Sequence, residues 1–212
     1  METTDKRRWF EILAVVLTGA LKYVMMDWLG WRLFYISGAM LFWGVYIFMR
    51  YRKDPRILQL WGIRKRNFRR TFLFLLPFAL VMVGLIAGYG FYVKATFLNW
   101  RIIPVLAIYP LWGIIQQFMM IALVAGNLQA ITSLRFRRSQ VMVWTSLLFA
   151  MVHYPYLPLM LYAFLMELVF IYTFFRWRNI WPLGLYHGWV SSLFLFFVSG
   201  RDLWKELWVM FK

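Results

Sequence analysis

The sequence contains no cysteine. Disulfides, thiol nucleophiles and Cys-ligated zinc are excluded together. Acid is scarce as well: eight Asp and Glu stand against 24 Lys and Arg, for a formal net charge of +16, and there are only two histidines. Groups able to do acid–base work near neutral pH are therefore few enough to weigh one at a time. Charged residues make up 15% of the chain. Ordinary soluble domains carry about 25%, so a soluble globule of this composition would lack the polar surface to cover itself. The chain also lacks internal repeats, low-complexity tracts and any polar stretch long enough for a separate soluble domain, so residues 1–212 read as one membrane domain.

What is present is apolar. Hydrophobic residues are 63% of the chain and aromatics 22%. A spanning helix needs about 20 apolar residues, and seven runs approach that length: 9–26, 32–49, 72–93, 102–126, 141–156, 157–175 and 180–198. Pro155 and Pro158 in "HYPYLP" separate the fifth run from the sixth by a tight turn. Lys22 interrupts the first run and must snorkel or find a partner. Lys6, Arg7 and Arg8 precede that run as in a signal peptide, but no small-residue cleavage site follows, so it reads as an uncleaved first helix. The tail, "RDLWKELWVMFK" over 201–212, alternates charge with Trp and Leu at helical spacing and predicts an interfacial amphipathic helix. The predicted fold class is all-α: a polytopic transmembrane bundle of about seven helices plus that C-terminal interfacial helix.

The basic residues are distributed unevenly. Lys6, Arg7 and Arg8, nine between Arg50 and Arg70, then Arg135, Arg137, Arg138, Arg176 and Arg178 flank one set of span ends; Lys22, Arg32, Lys94, Arg101 and three in the tail flank the other. The positive-inside rule then predicts a cytoplasmic N-terminus and a C-terminus outside. The 50–70 loop suits anionic lipid headgroups. Nucleic acid is not an expected partner, because the basic residues lie between hydrophobic runs.

Polar groups inside hydrocarbon are costly and mark function or interhelical contacts. Those present are the adjacent Gln116 and Gln117, then His153, Glu167, His187, Ser191 and Ser192. At about 1.5 Å per residue they fall at comparable depths. His187 and Ser191 are four apart and share a helix face, as do Phe149 and His153. A common pocket between four helices, opening toward the cytoplasmic half, is the expectation. Glu167 is expected to partner His153 or His187, or Lys22. The plainer reading is that the amides are interhelical glue, at about 0.6 kcal/mol each.

At these residues the chain resembles the CAAX protease and bacteriocin-processing (CPBP, or Abi) intramembrane proteases. That family carries a Glu-Glu-x-x-x-Arg motif, then Phe-x-x-x-His, then His-x-x-x-Asn or Asp after a "NIWP"-like start. Here "FAMVH" supplies Phe149 and His153, "NIWPLGLYHGWVS" supplies Asn179, Trp181, Pro182 and His187 with Ser191 at the Asn/Asp position, and "QQFMMI" replaces both acids by Gln116 and Gln117 and the Arg by Ile121. The resemblance covers about residues 104–198. It implies an endopeptidase acting on a membrane-associated peptide or protein, in a prokaryotic inner (plasma) membrane. Gln cannot serve as the general base that the family's Glu provides.

Three alternatives stay open. Glu167 replaces the base while His153 and His187 stabilise the oxyanion. A histidine is itself the base, with Gln116, Gln117, Ser191 and Phe149 positioning water or substrate. Or the chain is a catalytically silent homologue that binds a membrane peptide or partner protein. No cofactor is expected. Zinc on His153, His187 and Glu167 would suit the donor types but has no ligand spacing behind it. A proton-relaying transporter is disfavoured, because no paired broken helices recur in matching halves.

Overall fold

A computed structural model of the chain describes residues 4–93 and 100–208. Lys94 and Lys212, used in the charge comparison above, and residues 209–212 of the tail lie outside them. The described residues form an all-α bundle without a β-strand. Helix α1 spans Asp5–Lys22 and runs on as a π-helical stretch, Tyr23–Trp28; α2 is Arg32–Lys53, α3 the short Ile57–Leu60 and α4 Phe68–Tyr92. Helix α5, Ile102–Gln117, continues through a π-helical segment, Phe118–Ala125, into α6, Gly126–Ala130. Then come α7, Arg138–Met151, α8, Leu157–Trp177, α9, Trp181–Phe197, and α10, Leu203–Leu207.

Five helical stretches are long and apolar enough to cross a membrane: Asp5–Trp28, Arg32–Lys53, Phe68–Tyr92, Ile102–Ala130 and Leu157–Trp177. The other two expected spans are shorter than the sequence suggests. Helix α7 has 14 residues, because the chain turns at 152–156, before α8 starts at Leu157 with Pro158 in its first turn. Helix α9 has 17. The tail is helical only over Leu203–Leu207 among the described residues, with the Asp202 carboxylate capping its first turn by accepting from the Lys205 amide.

The bundle is built around α9, whose buried residues lie on every side of it. It packs on α5 backbone to backbone. A Cβ on Gly113 would collide with the Gly184 carbonyl and the Gly188 amide, and a Cβ on Gly188 with the backbone of Tyr109 and Pro110. This approach brings the middle of α5, where the two glutamines lie, against the middle of α9, where His187 lies.

The two ends of the bundle differ. At one end, Arg64 and Asn67 donate to the Trp177 carbonyl, Asn179 donates to the carbonyls of Arg64 and Arg66, and the Ile180 amide donates to Gly62. Gly62 sits at φ +75°, where any side chain would run into Phe174 and the Arg178 backbone. These bonds gather the 54–70 loop and the α8–α9 turn, and with them most of the basic residues, on one face. At the other end, among the described residues, Lys22 pairs with Asp27 at 2.7 Å, Arg101 with Asp202 at 2.7 Å, Arg201 with Glu206 at 2.6 Å, and Arg32 with Glu206.

Candidate functional site

Gln116 and Gln117 are about 100° apart on the helix, so side chains from adjacent positions can approach one object from two directions. That object is the His187 ring. Gln117 Nε2 lies 3.3 Å from His187 Nδ1, and Gln116 Oε1 lies 3.0 Å from His187 Nε2. One assignment satisfies both contacts: Gln117 donates to a bare Nδ1, and Nε2–H donates to Gln116, which fixes the neutral tautomer. Gln117 Nε2 spends its other hydrogen on Glu167 Oε2 at 3.0 Å. The result is a chain Glu167–Gln117–His187–Gln116 across α8, α5 and α9.

His153, in the turn after α7, is held differently. Its Nδ1 lies 2.9 Å from the Phe149 carbonyl, one turn back, and donates to it. The Phe149 ring, buried, sits against both imidazoles, with centroids 5.0 Å from His153 and 5.5 Å from His187. Nε2 of His153 has no hydrogen-bond partner among the described residues and is left as an acceptor.

Both histidines line a cavity of about 110 Å³ together with Gln116, Tyr162 and Ser191. The Tyr162 hydroxyl and Ser191 Oγ are 3.2 Å apart, and the Tyr162 ring stacks on Phe194. Beside the cavity runs an apolar groove of about 470 Å³ between α1 and α7; the two share Tyr35, Trp112, Gln116 and Val152 as walls. The groove abuts the polar cavity along these shared walls.

Several expectations change here. The cavity extends from His187 and Gln116 toward Lys22 and Arg201, at the end away from the basic loops and not toward them. Depth along each helix is set by its rise, but which end of the space between helices is filled depends on side chains. At the basic end it is filled by Trp43, Trp61 and Phe118, all buried, with Phe118 against Trp43 at 6.2 Å and Trp61 at 5.1 Å.

Glu167 touches neither histidine nor Lys22. It is fully buried, is absent from the cavity wall, and reaches His187 only through Gln117. Lys22 instead pairs with Asp27, five residues on, which the π-helical turn brings within reach. Ser192, unlike Ser191, turns its Oγ back to the Trp189 carbonyl at 2.9 Å. Among the described residues no three His, Asp or Glu side chains converge at metal-ligand spacing, so His153, His187 and Glu167 do not make a zinc cage.

Sequence reasoning missed Tyr162, whose hydroxyl shares the cavity wall with Ser191, and Glu11. The Glu11 carboxylate is buried near the basic end, accepting from the Tyr46 hydroxyl and, at 2.7 Å, from Asn127. An acid inside the first apolar run was the available signal for Glu11.

No family model, curated protein or solved structure matches this chain. Its function therefore rests on the geometry of the cavity and on the motif resemblance.

Proposed function

We propose that this protein binds a segment of a membrane-associated peptide in the cavity between the end of α1, α2, α5, α8, α9 and the turn after α7, as a catalytically silent relative of the CPBP intramembrane proteases in a prokaryotic inner membrane. The observation that carries this reading is the occupancy of His187. Both its ring nitrogens are engaged by neutral amides, and the one carboxylate in the cluster is sealed behind Gln117. Hydrolysis by a carboxylate-activated water needs an acid that reaches the water, and Glu167 is not in the cavity wall. Binding needs only what remains: the His153 acceptor, the Gln116 amide, the hydroxyl-bearing residues of the wall, Ser191 and Tyr162 among them, and an adjoining apolar groove for the part of the peptide that stays in lipid.

A second reading is favoured by one feature, the unengaged Nε2 of His153. As a base it would take a proton from water while the hydroxide attacks the peptide carbonyl, then return that proton to the departing amine. Gln116 and Ser191 would orient the carbonyl, and the product is two shorter peptides with one water consumed. Glu167 has no proton-transfer role in this scheme.

The test uses the protein reconstituted with peptides from its host membrane, with a photo-crosslinker in the cavity at Leu195 and mass spectrometry of the captured peptides. The binding reading expects intact peptides, held by wild-type protein. New peptide termini that disappear in His153→Ala yet persist in Glu167→Gln would replace it with the second reading. Termini lost in Glu167→Gln would reject both. Absence of any captured or cleaved peptide rejects a peptide role.

A further inference from the structure

The cavity reaches toward one end of the bundle and is separated from the other by packed side chains. From the basic end, a route to His187 would have to pass the Phe118–Ala125 segment, every residue of which is buried. It would also have to pass the Trp43–Phe118–Trp61 cluster, itself tilted against Tyr46 at 5.8 Å from Trp61. Glu11 ties Tyr46 and Asn127 together across the same end, so α1, α2 and α6 are joined there. At the opposite end the cavity wall is made by Lys22, at the close of α1, Ile36, near the start of α2, Leu195, near the close of α9, and Arg201. These are helix ends, beside the connecting turns.

The charge pattern assigns sides to these ends. The plugged end carries the 50–70 loop with Arg135, Arg137, Arg138, Arg176 and Arg178. At the opposite end the described cations Lys22, Arg32, Arg101 and Arg201 are tied up by Asp27, Asp202 and Glu206. An excess of Lys and Arg in short loops marks the cytoplasmic side, and cations already held in ion pairs offer little attraction to an anionic ligand.

We infer that the cavity is loaded from the non-cytoplasmic face, and that its occupant is an uncharged polar stretch of a peptide lying on that side of the membrane. The nature of the occupant rests on the peptide reading above; the side of loading rests on the fold and charge pattern alone. About 110 Å³ accommodates a peptide unit or one polar side chain. The polar residues lining it, His153, Gln116, Ser191 and the tyrosines Tyr35, Tyr109 and Tyr162, with Lys22 and Arg201 already held in ion pairs, match hydrogen-bonding backbone better than a carboxylate or an ammonium group.

The absence of cysteine makes the test clean, because each introduced thiol is the only one in the chain. Ser191→Cys and Ile36→Cys report on the cavity, Trp28→Cys on the opposite end, where Trp28 is 80% exposed, and Arg66→Cys on the basic loop. Intact cells and inverted vesicles are treated with a membrane-impermeant maleimide. The expected result is that Ser191→Cys and Ile36→Cys label from outside together with Trp28→Cys, while Arg66→Cys labels only in inverted vesicles. Cavity thiols that react only from the Arg66 side, or from neither side while Trp28→Cys reacts, overturn the inference. Labelling of Arg66→Cys from outside overturns it too, by reversing the orientation. A cavity that labels from outside but captures no peptide leaves the side of loading intact and removes only the peptide reading.

Discussion

Gln117 stands with one amide hydrogen toward His187 Nδ1, at 3.3 Å, and the other toward Glu167. Among the described residues it is thus the hydrogen-bonded link between the buried acid and the imidazole. Replacing it by Leu strips Glu167 Oε2 of its donor in a fully buried setting. Leaving a buried polar group unsatisfied costs about 1–3 kcal/mol. Gln117→Leu should therefore unfold at a lower temperature in detergent, and Gln117→Asn, too short to span both partners, should lose nearly as much. A melting point unchanged in both variants would mean the link carries no stability.

Glu167→Gln keeps the shape and an acceptor for Gln117, so peptide capture should be retained. Glu167→Leu removes the acceptor and releases Gln117, and should loosen the His187 ring. The readout is the ¹⁵N shift pattern of the His187 imidazole, which reports the tautomer. Equal spectra in wild type and Glu167→Leu would contradict the relay described here.

Gly188→Ala places a methyl group against the Tyr109–Pro110 backbone, where no flexible side chain can yield. Overpacking of this kind costs about 1–3 kcal/mol. The variant should melt earlier and also lose peptide capture, because α5 must move away from α9 and take Gln116 from His187. Gly84→Ala, where an added Cβ meets nothing within 4 Å, is the control expected to behave as wild type.

The α10 segment should dock in a pH-dependent way. Partial burial works against ionisation of Asp202, but the hydrogen bonds from the Lys205 amide and from Arg101, with the positive charge of both residues, outweigh it and hold the carboxyl below its ordinary 3.8. A carboxyl depressed on folding contributes stability that is fully present above its unfolded value and is lost as pH falls through the folded value. Hydrogen exchange over 202–208 should therefore be slow near neutral pH and rise below about pH 4, relative to α9 in the same sample. Asp202→Asn should show fast exchange at every pH. A flat wild-type profile would mean the Arg101 pair does not hold the segment.

Much of the architecture was legible from residue pattern alone. The seven apolar runs match seven principal helices in order, and the four-residue spacings put Phe149 against His153 and put His187 and Ser191 on one cavity wall. The adjacent amides were visible because nothing else polar surrounds them. What pattern could not give was rotation and filling. Glu167 lies at a depth similar to His187, but the face of α8 that carries it meets Gln117 and not the open space. The direction of the cavity depended on where Trp43, Trp61 and Phe118 pack, three aromatics from distant runs whose meeting no local periodicity encodes. The Lys22–Asp27 pair depended on a π-helical turn that composition does not announce.

The glycine seam between α5 and α9 has a consequence for how the molecule lives in bilayers of different thickness. Where backbones touch, two helices cannot slide or roll without first separating, so they tilt as one plank. Lipids that are thicker or thinner must be accommodated by the outer helices, α1 and α2, whose faces are largely bare. The amide-clamped imidazole should then keep its alignment across lipids, while the groove beside α1 widens or narrows with them.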